Sequence, residues 1–112
     1  MSDPAVVGPV LLIAEFEISD PDSYRIYREA AKPTVGSYGG RVLGRAYDAE
    51  VVILEGSWVP DHVVIIEFPA LDDALAWHSN PSMTAAHLAR QSSCKSRFTI
   101  VPSVYRSSPR IS

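Results

Sequence analysis

Cysteine occurs once in this chain of 112 residues, at Cys94, so no internal disulfide and no multi-cysteine zinc cluster can be built. Histidine is scarce too. His62, His78 and His87 show no i,i+4 pairing, which argues against zinc, and nothing in the residues supports a haem held by one histidine. Ten Lys and Arg against thirteen Asp and Glu leave a net charge of −3, which argues against a nucleic-acid binder working by bulk charge. No apolar run approaches the length of a membrane span, and Met1-Ser2-Asp3-Pro4 has neither a basic nor an apolar signal region. Repeats and low-complexity segments are absent. The expectation is a cytoplasmic, soluble, single-domain protein without nucleic-acid or membrane partners, and with no cofactor and no metal.

What is present suffices for a folded core. Hydrophobic residues make up 46% of the chain, which rules out disorder. Area scaling predicts that about two-thirds of the unfolded surface is buried on folding. Val10 to Ile18 is β-branched, aromatic and alternating, and reads as a strand. Ser19-Asp20-Pro21 then signals a helix start, a capping side chain followed by a proline in the first turn. That helix carries Tyr24, Ile26, Tyr27, Ala30, Ala31 and Val35 on its apolar face, is bent or broken at Pro33, and closes at Tyr38-Gly39-Gly40.

A second strand spans 41–47, a turn follows at 48–50, and Val51 to Leu54 return to extended apolar character. Trp58 to His62 is a connection, with His62 solvated beside Asp61. Val63 to Phe68 is the strongest strand and Pro69 stops it. Asn80-Pro81 splits the next helical stretch into 71–79 and 82–92, and Arg97 to Val101 is the last strand. The fold class is therefore α+β, a ferredoxin-like βαββαβ sandwich with helices on one face of a four-stranded antiparallel sheet. The domain covers 10–104, with loose tails at 1–9 and 105–112. Its second sheet face is bare, and a homodimer through that face is the simplest cover.

Strand alternation places Val10, Leu12, Ala14, Phe16 and Ile18 under the helices. The opposite face is apolar but interrupted by Glu15, Glu67, Arg41 and Arg45. Glu15, Glu67 and Arg45 are expected in one half-buried patch. Two readings of it are open: separated carboxylate pKa values suited to acid–base chemistry, or a structural ion-pair network. His78 is either a general base or a histidine that interacts with the helix dipole. Trp58 and Trp77 either line a pocket or fill the core. Tyr24 and Tyr27 read as packing residues, Tyr27 being better placed for the cleft. Cys94, near Lys95 and Arg97 but without a histidine partner, does not read as a nucleophile.

Several spaced segments resemble one family. They are Ile18 to Tyr24, Tyr38-Gly39-Gly40-Arg41, Arg45, Leu54-Glu55-Gly56-Ser57-Trp58, Ile66-Glu67-Phe68-Pro69, Ala74 to Pro81, and Arg90. Together, over about residues 10–104, they are similar to the domain-of-unknown-function family numbered thirteen-thirty. The resemblance implies a dimeric α+β barrel, in a superfamily of cofactor-free monooxygenases, cyclases, isomerases, haem-dependent members and pure ligand binders. It also implies recurring positions at Tyr27, Arg45, Glu55, Trp58, Glu67 and Trp77. The chain departs from the pattern at Ala46-Tyr47-Asp48, at His78 and Met83, and at Glu15.

Two functions follow as expectations. The first is a cofactor-free isomerase, cyclase or related enzyme acting on a small, partly apolar, oxygenated metabolite in the cleft between sheet and helices. Glu67 or Glu15 would be its base, Arg45 its anion partner and His78 its proton shuttle. Tyr27, Trp58, Trp77, Arg41 and Glu55 would contact the ligand. The second is a non-catalytic ligand-binding or structural dimer whose charged cluster is an ion-pair network.

Overall fold

The computed structural model describes residues 6–105. Strand β1 (Val10–Ile18) leads to helix α1 (Pro21–Ala31), the short helix α2 (Thr34–Ser37) and strand β2 (Arg41–Tyr47). A 3-10 turn at Asp48–Glu50 and an irregular connection reach β3 (His62–Phe68). Helix α3 (Leu71–His78), a 3-10 turn at Pro81–Met83, helix α4 (Thr84–Ser93) and β4 (Cys94–Pro102) complete the order. The strands form one antiparallel sheet in the order β2-β3-β1-β4. This is the ferredoxin-like α+β arrangement.

Local chemistry sets the boundaries. The Asp20 carboxylate accepts from the Ser23 amide at 3.3 Å, and Pro21 occupies the first helical position, where its missing N–H costs nothing. Helix α1 ends just before Pro33. At Asn80 the side chain accepts from the Ser82 amide at 3.0 Å and restarts the chain as the second 3-10 turn. Gly40 is required by close approach: a Cβ there would lie 2.7 Å from Phe68 Cε1 and 2.9 Å from Val35 Cγ1.

The row Val10, Leu12, Ala14 and Phe16 is buried, as are Ile66 and Phe68 beside it, and the helices cover this side. Helices α1 and α4 pack on each other. Leu11, Ile13, Ile65 and Val63 lie on the other face and are only partly buried.

Three expectations change. The segment 51–54 is not extended into a sheet: it is irregular, with Val52 75% and Leu54 94% exposed. Both sides of β3 are already taken by β1 and β2, so the segment has no free edge of that strand to join. His62 is not a solvated loop residue but the first residue of β3, 3% exposed. Asp61 holds it there, because its amide donates to the Phe16 carbonyl and its carboxylate accepts from the Ile18 amide, each at 2.7 Å. Strand β4 is also longer than expected, since Cys94 to Ser96 already pair with Ile18 to Phe16. Of the expected tails, 1–5 and 106–112 lie outside the described residues. Within the rest, Val6 packs on the core and Pro9 accepts from the Ser103 amide at 2.9 Å.

Candidate functional site

Strand β2 carries one residue more than its partner needs. Val42 pairs with Ile66 and Gly44 with Ile65, which leaves Leu43 in a bulge. An extra residue reverses the side-chain alternation beyond it. Arg41 therefore shares the bare face with Glu67, whereas Arg45 pairs with Val64 and Tyr47 with His62 on the helix-facing side. The expected patch of Glu15, Glu67 and Arg45 does not form. Glu15 and Glu67 lie on the bare face and Arg45 on the other.

On the bare face each carboxylate has its own guanidinium. Arg41 Nε donates to Glu67 Oε1 and Arg97 Nε donates to Glu15 Oε1, both at 2.8 Å. Trp58 lies under Arg97, whose guanidinium carbon is 5.4 Å from the indole centroid. Glu55 is exposed in the irregular connection. None of Glu15, Glu67, Arg41, Trp58 or Glu55 lines the cleft described next.

Between α1 and the β2–β3 half of the sheet lies a cleft of about 320 Å³. Ala14, Val64 and Ile66 are apolar parts of its lining, and Arg28, Lys32 and Arg45 are its cations. Tyr27 and Trp77, both expected ligand contacts, belong to its wall, as do Tyr24, Tyr47 and His62. Trp77 is held by its indole N–H, which donates to Thr34 Oγ1 at 2.9 Å.

His62 is the most constrained polar group of the cleft. Its imidazole lies between Tyr47, at 4.2 Å and 11° between planes, and Phe16, at 5.5 Å and 27°. Nδ1 is hydrogen-bonded to the Tyr24 hydroxyl. A phenol is the better donor of the two, so the proton is assigned to Tyr24 Oη, which leaves the imidazole hydrogen on Nε2. Nε2 is buried and has no partner among the described residues. Burial first, then the charges of Arg28 and Arg45, bring the His62 pKa down to about 4, so the ring is neutral near pH 7. Burial pushes the Tyr24 phenol well up and the Tyr27 phenol up to about 12. The site is thus built of neutral hydrogen-bonding groups beside fixed cations.

His78 lies elsewhere. It ends α3, exposed, 5.0 Å from the Phe98 ring and 6.0 Å from His87. Desolvation and the Arg90 charge lower its pKa. Arg90 is buried between Tyr27 and Phe98, at 5.6 and 5.0 Å from their centroids, and donates to Ser96 Oγ at 2.6 Å. This cluster stands behind the Tyr27 wall and does not line the cleft. No group of three His, Cys, Asp or Glu among the described residues is arranged to hold a metal ion.

Sequence reasoning missed His62, Tyr24, Tyr47 and Arg28 as cleft residues. Two signals were available. Counting back by twos from Phe68 puts Ile66, Val64 and His62 in one row, and a lone glycine inside a strand, here Gly44, marks a bulge.

Residues 9–104 match the family model described as Domain of unknown function (DUF1330). The chain belongs to this family. No curated protein matches it. Among solved structures, this family member is similar to a protein of unknown function from Rhodopseudomonas palustris, at 20% identity and a TM-score of 0.74, over 88% of this chain and 84% of that one. SnoaB, a cofactor-independent oxygenase from Streptomyces nogalater, matches at 11% identity and a TM-score of 0.61, over 90% and 98% of the two chains. A dimeric ferredoxin-like protein of unknown function from Bacteroides fragilis matches at 13% identity and 0.57, over 84% and 95%. At these identities the likeness is one of fold. No helix among the described residues is long and apolar enough to cross a membrane.

Proposed function

We propose that this DUF1330 domain is a homodimeric small-molecule-binding protein, whose ligand is a small, partly apolar, oxygenated metabolite held between α1 and the β2–β3 half of the sheet. The carrying observation is the cleft, about 320 Å³ of space with an apolar floor and a few converging polar groups. The bare face, with Leu11, Ile13 and Ile65 only partly buried around two ion pairs, is the dimer surface in this reading. The dimeric neighbour of the same fold supports it. Arg41–Glu67 and Arg97–Glu15 then act as interface pairs that set register, and Arg45, Tyr27 and Trp77 contact the ligand.

A catalytic reading is favoured by one observation, the buried His62–Tyr24 pair beside Arg28 and Arg45. A neutral imidazole–phenol pair in the wall beside two arginines suits a site in which those cations stabilise an enolate, the step shared by isomerases and cyclases. SnoaB, which is cofactor-independent, has the same fold and lends support to chemistry of this kind without an added group.

Native mass spectrometry of the purified dimer tests the binding reading. The expected result is a co-purified small molecule that is lost in Val42→Trp, which fills the mouth of the cleft from the β2 edge. Retention of that molecule by the variant would overturn the assignment to this cleft.

A further inference from the structure

The cations of the described chain are distributed unevenly. Arg25, Arg41 and Arg97 each have a carboxylate partner. Five others have none among the described residues: Arg28, Lys32 and Arg45 line the cleft, whereas Arg90 donates to Ser96 Oγ and Lys95 is exposed on β4. Glu29 is the one carboxylate in that lining. A chain with a net charge of −3 therefore carries a cleft of the opposite sign. Such local fields select ligands by charge.

The shape is equally specific. The rings of Tyr27, Tyr47 and Trp77 belong to the wall, Tyr47 with its faces against His62 and Arg28 so that it offers its edge, and the floor is aliphatic at Ala14, Val64 and Ile66. Aromatic edges over an apolar floor favour a planar, conjugated ligand, by edge-to-face contact and by area removed from water. A cleft of about 320 Å³ falls at the lower end of small-molecule sites.

We infer that the ligand of this cleft is a flat conjugated acid bound as its anion, an aromatic carboxylate or acidic phenol. Its rings lie among Tyr27, Tyr47 and Trp77, and its oxyanion meets Arg45 and Arg28. The inference rests on the small-molecule reading above and adds the ligand's charge and shape.

The test uses four probes on the full chain by isothermal titration at low salt: 2-naphthoate, 2-naphthylmethanol, 2-naphthylmethylammonium and hexanoate. Charge-assisted pairing predicts that 2-naphthoate binds roughly tenfold tighter than the neutral alcohol, with the ammonium weakest and the non-planar hexanoate weaker than naphthoate. Arg45→Gln should shrink the ratio of naphthoate to alcohol affinity, and added salt should shrink it in the unsubstituted protein. Circular dichroism checks that the variant is folded. Equal binding of alcohol and naphthoate, or preference for the ammonium, overturns the anion inference and leaves the small-molecule reading standing. Binding of none of the four, together with no co-purified molecule, overturns both.

Discussion

The Tyr47 ring lies flat on the His62 imidazole, with centroids 4.2 Å apart and planes 11° apart. The two residues are register partners, Tyr47 near the end of β2 and His62 at the start of β3. They meet on the helix-facing side because Leu43 is left unpaired earlier in β2. On Tyr47 in turn lies Arg28, its guanidinium carbon 5.7 Å from the ring centroid. One bulge thus assembles a column of Arg28, Tyr47, His62 and Phe16 along the cleft wall.

That column should be measurable as stability. Tyr47→Ala removes a stacked ring and a cation–π contact, and is expected to cost about 1–2 kcal/mol in urea unfolding. Tyr47→Phe keeps the ring and should lie close to the parent. Equal losses in both variants would show that the phenol hydroxyl, not the stack, carries the effect.

The His62 environment predicts a pH dependence. Its folded pKa, about 4, lies below the ordinary histidine value of 6.5. Between these values the unfolded chain binds more protons, so stability is fully present above about pH 6.5 and falls as the pH drops toward 4. The full effect, discounted for partial solvent screening, is about 2–3 kcal/mol. His78 and His87 are shifted in the same direction. The diagnostic measurement is therefore the difference between the parent and His62→Phe. The variant should show the shallower loss from pH 7 to 5, and parallel curves would remove His62 as the cause.

Ile13 and Ile65 face each other in register on the bare sheet face. In the proposed dimer, Ile65→Lys puts an unpaired charge into an apolar contact, and should weaken association by at least about a hundredfold. Light scattering coupled to size exclusion reads the mass. Far-ultraviolet dichroism should be unchanged, since the residue lies opposite the core. A variant still fully dimeric at micromolar concentration would place the interface elsewhere.

Gly40 offers a test of close packing. The Cβ of Gly40→Ala would meet the Phe68 ring at 2.7 Å and Val35 at 2.9 Å, and neither can withdraw without disturbing the core. A loss of about 1–3 kcal/mol is expected by calorimetry. A neutral result would show that the Phe68 ring moves freely.

Much of this architecture was legible in the residues. Asp20-Pro21 marks where α1 begins and Asn80-Pro81 where the second helical stretch divides, because capping and proline geometry act within a few residues. The row Val10, Leu12, Ala14 and Phe16 was readable as the bed of the helices, since β alternation has a period of two.

The cleft's chemistry was decided by tertiary structure. Alternation applied without a break put Arg45 with Glu15 and Glu67, and one unpaired residue at Leu43 moved it to the other side of the sheet. Whether a strand absorbs an extra residue depends on how its neighbour pairs with it, which is a property of two strands together. Burial of His62 has the same origin. Its backbone joins β3 only because Asp61 is bonded to β1 at Phe16 and Ile18, residues more than forty positions earlier in the chain. Local pattern established the elements and most of their faces, and contacts distant in sequence chose which charges meet in the cleft.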